Sequence, residues 1–154
     1  MILSPEEFNE LKGDKRRLLG LDVGTKTIGL ALSDILWSIA SPYEVIMRRK
    51  FTLDAKELIK IINEFHVKGL VVGLPVNMDG TEGPRAQSTR SFVASFLDLQ
   101  DIPVLLWDER FSTNAVTRMM LDADLSRKRR DELVDKLAAS YILQGALDRL
   151  QKME

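Results

Sequence analysis

Among the stretches of the chain without a polar residue are Gly69-Leu70-Val71-Val72-Gly73 and Pro103-Val104-Leu105-Leu106-Trp107. A strand with one wet face alternates polar and apolar residues. An unbroken apolar run is expected of a strand covered on both faces. Ahead of the first run, Ala55, Leu58, Ile59, Ile62 and Phe65 recur with a helical period. Ahead of the second, Ala86, Thr89, Val93, Phe96 and Leu97 share one helical side. Buried strands alternating with helices imply parallel strands joined by helical crossovers. This pattern constrains the second half of the chain to an α/β architecture.

The first half reads differently. Leu18 to Val23 is a strand, Gly24-Thr25-Lys26-Thr27 a turn, and Ile28, Leu30 and Leu32 mark a second strand, so the pair is a hairpin. Tyr43 to Met47 is a third strand, and Thr52 is placed to cap the first long helix. A glycine-containing loop spans Pro75 to Gly83, and Pro84 fits the first turn of the next helix. Ser112 or Thr113 caps a short helix ending at Leu121, a charged loop runs from Asp122 to Arg130, and a last helix spans Asp131 to Leu150. Residues 1–17 are expected as a polar arm, free or holding one short helix from Pro5 to Leu11. Residues 18–154 form a single domain.

The chain has 154 residues, a net charge of −1, one histidine and no cysteine. Any polyanionic partner must therefore be met by local patches rather than by overall charge. Thiolate metal sites and disulfides are excluded. The first 17 residues carry no apolar signal core, and no apolar run is long enough to cross a membrane. A cytoplasmic protein with no membrane partner is expected.

Acidic residues interrupt the apolar pattern at three places. Asp22 lies inside the first strand, Asp108 and Glu109 directly follow the last buried strand, and Asp135 lies near the start of the last helix. Asp135 continues a stripe with Ala138, Ala139, Ile142 and Ala146, whose small residues let a helix approach a sheet closely. Carboxylates that converge from separate elements repel one another unless a cation lies between them. All-oxygen ligands favour Mg²⁺ or Mn²⁺ over Zn²⁺. Two such ions roughly 4 Å apart can activate water and stabilise a leaving oxygen in phosphodiester cleavage. Taken singly, each acid also fits a solvent-facing strand end or a complement to a helix dipole.

The blocks GLDVGTKTIGLALSD, VVGLPVNMDGTEGPRAQ, WDERFST and DKLAASYILQGAL, in this order and spacing, resemble the YqgF/RuvX family. They span residues 20 to 147, most of the chain. The resemblance implies an RNase H-like fold with a five-stranded mixed sheet flanked by helices. It further implies a Mg²⁺- or Mn²⁺-dependent nuclease that matures the 5′ end of pre-16S ribosomal RNA. Carried over by position, Asp22, Glu109 and Asp135 are the catalytic metal ligands, and Asp108 is a supporting acid. The stretch before the first block is longer than is usual for the family, and Phe111 stands where a smaller aliphatic residue is expected.

Several basic and polar residues are candidates for holding a nucleic-acid backbone. Lys26 is either a phosphate contact or an exposed turn lysine. Asn77, Arg85 and Arg90 flank the loop before a helix N-terminus, where backbone N–H groups can receive anions. Arg110 can pair with an acid or a phosphate. Arg127, Arg129 and Arg130 form a basic run ahead of Asp135, which is otherwise an ordinary solvated face. Arg48-Arg49-Lys50 reads as a solvated turn, His66 as a helix end, Trp107 as core, and Trp37 as loop packing or a base-stacking platform.

The leading reading is a nuclease acting on pre-ribosomal RNA, with the ribosomal small-subunit precursor as a partner. The runner-up is a Holliday junction resolvase acting on branched DNA, whose paired cuts require a homodimer; the sequence itself allows a monomer or a homodimer. A non-catalytic nucleic-acid-binding module is a third reading. Asp-x-Gly-Thr before a strand also resembles the phosphate turn of sugar kinases and actin-like ATPases, but these need a second lobe that 154 residues do not accommodate.

Overall fold

In a computed structural model, residues 1–109 and 127–153 are described, with 127–136 given by their helical backbone. The elements run α1 (Pro5–Asn9), β1 (Arg17–Val23), β2 (Thr27–Ser33), β3 (Ala40–Met47), α2 (Phe51–Glu64), β4 (Val67–Leu74), α3 (Pro84–Leu99) and β5 (Val104–Asp108). The last described helix is α4 (Arg127–Lys152). The five strands form one sheet in the order β3-β2-β1-β4-β5. β1 pairs antiparallel with β2, and β2 with β3. β1 and β4 pair in parallel, as do β4 and β5. The hairpin start and the parallel second half follow the expectation from periodicity. Helices flank this mixed sheet on both faces.

Strand alternation divides the sheet residues between two cores. Leu19, Leu21 and Val23 of β1 join Leu70, Val72 and Val104 under α2 and α3. Leu18, Ala31, Val71 and Leu105 face the other way, against Ala139, Ile142, Leu143 and Ala146 of α4. A Cβ built on Gly20 would lie 2.8 Å from Leu143 Cβ and 3.1 Å from the Ala139 carbonyl. The bare backbone there is what lets α4 lie close on β1.

Three of the boundaries that differ from the sequence reading have a plain physical cause. Helix α2 begins at Phe51 with Lys50 at the N-cap, so Thr52 is inside the first turn rather than the cap. Asp54, fully buried, instead accepts the Arg49 N–H at 3.2 and 3.3 Å. Helix α4 begins at Arg127, not Asp131. Lysine and arginine are good helix formers, so the basic run continues the helix even without an apolar period. β3 starts at Ala40, and Pro42 is tolerated because β3 is an edge strand with a register shift opposite Leu30/Ala31.

The segment before β1 is tied to the domain. Ser4 and Glu7 form a reciprocal capping box on α1. Phe8 is fully buried in the α4-side core, 5.8 Å from the ring centre of Trp37. Leu3 N–H donates to Val104 O, and Val104 N–H donates to Met1 O, both at 2.8 Å. These bonds cover the start of the outer edge of β5, at Val104. Trp37 is 1% exposed and its Nε1 donates to Arg16 O at 2.8 Å. It serves packing and offers no face to a base.

Candidate active site

The alternation that builds the two cores also sets the direction of the acids. Asp22 shares parity with Leu18 and Gly20, and Glu109 shares parity with Leu105 and Trp107. Both therefore belong to the α4 side, at the carboxyl ends of β1 and β5, where open α/β sheets place their ligands. Between these strands lies β4. The register pairs Leu21 with Val72 and Gly73 with Trp107, so Gly73 sits between the two acids.

Gly73 makes the site possible sterically. A Cβ on it would stand 2.5 Å from Glu109 Oε2 and 2.5 Å from Ile142 Cδ1. The carboxylate of Glu109 thus occupies the space that a side chain on β4 would fill. Glu109 Oε2 is buried and has no hydrogen-bond partner. A buried polar atom without a partner is costly and calls for an explanation. Burial, then the negative charge of Asp22, raises the Glu109 pKa from the ordinary 4.5 to about 7; Arg85 opposes the shift, and Asp108 adds weakly to it.

The third acid of the sequence reading, Asp135, lies in α4, and its side chain is outside the described residues. The helical backbone puts position 135 one turn ahead of Ala139 and two turns ahead of Ile142, whose side chain meets Gly73. Among the described residues no three His, Cys, Asp or Glu side chains form a cluster, so Asp22 and Glu109 are the described pair. Asp108 is partly buried and belongs by parity to the opposite face of β5.

The basic candidates fall into three groups. Lys26 and Arg85 are exposed, Lys26 on the β1–β2 turn and Arg85 in the first turn of α3, where its charge reaches Glu109. Arg90 is already engaged: its Nε and Nη2 hold Glu82 Oε1 and Oε2 at 2.6 and 2.8 Å. Arg110 lies outside the described residues, as do the side chains of Arg127, Arg129 and Arg130 and the short helix expected before Leu121.

The loop between β4 and α3 is ordered by its own bonds. Asn77 N–H donates to Thr81 O and Gly80 N–H to Asn77 O, both at 2.8 Å. Asn77 Nδ2 donates to Thr81 Oγ1 at 3.0 Å, and Thr81 Oγ1 donates to Asp79 Oδ1 at 2.6 Å. Gly80 takes φ +89°, a left-handed conformation that glycine adopts without strain. The Glu82–Arg90 pair then fastens the loop to α3. The α3 N-terminus at Gly83 has no side-chain cap.

Arg48 is the residue that sequence reasoning missed. It is not a solvated turn residue: its Nη1 donates to Gly24 O at 2.7 Å, and its side chain is 26% exposed. Gly73 carried a readable signal, a glycine at the end of a buried apolar run, but its purpose required the third dimension.

A family model described as "RuvX: Holliday junction resolvase" matches residues 16–149. The chain is 58% identical over 147 residues to a protein of Paramagnetospirillum magneticum named "Putative pre-16S rRNA nuclease", covering 96% of this chain and 95% of that one. It is 60% identical to a protein of the same name from Zymomonas mobilis, covering 92% of this chain and 86% of that one. Among solved structures it resembles Thermus thermophilus RuvC bound to a Holliday junction substrate, with a TM-score of 0.54 at 14% identity over 87% of this chain and 95% of that one. This last likeness is one of fold.

Proposed function

We propose that this chain, which belongs to the RuvX family, is a divalent-metal-dependent phosphodiester nuclease that processes the 5′ end of pre-16S ribosomal RNA. The observation that carries the reading is the Glu109 carboxylate, buried over Gly73 with one oxygen unpartnered and the charge of Asp22 beside it. Two neighbouring carboxylates raise the cost of charging each other, and a hard cation between them satisfies both. The donor set is all oxygen, which suits Mg²⁺ or Mn²⁺. Asp22, Glu109 and Asp135 would hold it, with Asp108 supporting. Bound there, such a cation would lower the pKa of a coordinated water and neutralise charge on the phosphate and the leaving oxygen.

The chain's own residues supply orientation. Lys26, Asn77 and Arg85 surround the carboxyl end of the sheet and would meet the phosphate backbone, which fixes register without reading sequence. The uncapped α3 N-terminus offers backbone N–H groups to the same phosphates. Arg90, held by Glu82, would keep the loop shaped. Arg110, Arg127, Arg129 and Arg130 would extend the basic surface. The substrate follows the names carried by the relatives, and acting on it would put the protein in the cytoplasm beside the small-subunit precursor. The described residues contain no helix long and apolar enough to cross a membrane.

A second reading, resolution of four-way DNA junctions, is favoured by the description of the matching family model. One experiment separates the two. Purified protein is incubated with Mg²⁺, Mn²⁺ or EDTA on a pre-16S 5′ leader RNA, a generic single strand and a four-way junction, with Asp22→Asn alongside. Metal-dependent cleavage of the leader, abolished in the variant, is the expected result. Paired nicks in the junction alone would transfer the assignment to the resolvase, which must then be dimeric. Cleavage unchanged by Asp22→Asn would overturn the site.

A further inference from the structure

The β1–β2 turn begins two residues beyond Asp22, and of its three residues, Gly24 to Lys26, the last two are exposed. Gly24 N–H donates to Thr27 O at 2.8 Å, which closes the turn on itself. That bond fixes its shape but not its position relative to the helices. The strand ladders place the turn in the sheet, and Arg48, directly after β3, links it further towards the helices. Its main-chain N–H donates to Lys26 O at 2.9 Å, and its side-chain Nη1 donates to Gly24 O at 2.7 Å. One residue therefore grips both sides of the turn.

The same guanidinium that holds Gly24 O also faces α2 and α3. Its Nε stands 4.0 Å from Oδ2 of Asp54, which is fully buried in the first turn of α2. The guanidinium carbon lies 5.5 Å from the ring centre of Phe92 on α3, within range of a cation–π contact. Phe92 packs edge-on against Phe51, the first residue of α2, with ring centres 5.4 Å apart. A planar, multi-donor guanidinium can serve a carbonyl, a carboxylate and a ring face in separate directions; a lysine ammonium cannot. We propose that Arg48 is a positioning residue, a clamp that ties the turn after Asp22 to α2 and α3 and so holds Asp22 and Lys26 in place against Glu109. This rests on the nuclease reading for its effect on turnover, but not for its effect on the turn.

The test is Arg48→Lys, which keeps a positive charge for buried Asp54 so that the protein folds. Two readouts are taken. Amide hydrogen exchange at Gly24 in metal-free protein reports the turn directly, and should accelerate at least tenfold. Cleavage of the leader RNA reports the site: kcat should fall at least tenfold with KM within threefold of wild type. Leu97→Ala, a packing change on α3 remote from the turn, serves as a control for general loss of stability. Exchange at Gly24 unchanged in Arg48→Lys would overturn the clamp, whether or not the wild type cleaves. Faster exchange with kcat unchanged, in a wild type that Asp22→Asn inactivates, would overturn its role in positioning. An equal loss of kcat in Leu97→Ala would reduce Arg48 to ordinary structure and overturn it as well. A wild type that cleaves nothing would refute the nuclease reading, while the exchange measurement would still decide the clamp.

Discussion

Gly73→Ala isolates the steric basis of the site. The added methyl would lie 2.5 Å from both Glu109 Oε2 and Ile142 Cδ1, and 3.2 Å from Ile142 Cγ1. Ordinary van der Waals contact begins about 1 Å further out. Ile142 is fully buried and packed in α4, whereas the Glu109 carboxylate is the free end of a longer side chain. Relief should therefore come mainly by expelling the carboxylate. Overpacking against Ile142 costs about 1–3 kcal/mol, offset by about 0.5–1 kcal/mol from replacing a strand glycine. A misplacement of about 1 Å at a reacting centre costs about a hundredfold in rate. The expected result is thus a modest loss in urea-unfolding stability and about a hundredfold loss in metal-dependent cleavage. Adding Ile142→Val removes Cδ1 and should recover stability without recovering activity. If activity returned with Ile142→Val, the displaced element would be α4 rather than Glu109, and the reasoning would fail.

Because the Glu109 pKa is raised from 4.5 to about 7, the folded protein binds this proton more tightly than the unfolded chain. Its contribution is fully present below about pH 4.5 and lost as pH rises through 7, at most about 3 kcal/mol. Thermal melts in EDTA should show this decline between pH 5 and 8, and Glu109→Gln should flatten it; an identical slope in the variant would contradict the assigned cause. Phe8→Ala should cost about 3–5 kcal/mol in urea unfolding, the range for a buried aromatic, because Phe8 is fully buried against α4 and Trp37. A loss under about 1 kcal/mol would mean that the segment before β1 contributes little to the fold.

The legible parts of this molecule are those where one residue type answers one local demand. Helix α2 and strand β4 follow from periodicity because their neighbours bury one stripe of the helix and both faces of the strand. Asp22 and Glu109 stand out because carboxylates interrupt apolar runs. What escaped depends on partners distant in sequence or on propensity without pattern. Phe8 is one aromatic residue among charges, and only its insertion against Gly69, where a Cβ would meet Phe8 Cζ at 2.7 Å, gives it a place in the core. Arg48 serves a carbonyl 24 residues earlier and a carboxylate six residues later, so a local reading saw only three adjacent basic residues. The first turn of α4 was misread because basic residues propagate a helix as well as they populate a loop.

The two cores explain why acids can converge at this end of the sheet. On the α4 side, β1 presents Leu18, Gly20 and Asp22 in turn, and β4 presents Val71 and then Gly73. The glycines at 20 and 73 bring Leu143 and Ile142 of α4 down onto the strands. A helix seated this closely sets Ala139, Ile142, Leu143 and Ala146 directly onto Leu18, Ala31 and Val71 of the strands. Beyond Gly73 the strands end, and Glu109 folds back over the glycine instead of extending into solvent. The same close packing that stabilises the α4 side thus desolvates Glu109 and sets it beside Asp22. Stability and chemistry share the glycine at 73, and a larger residue there would disturb both at once.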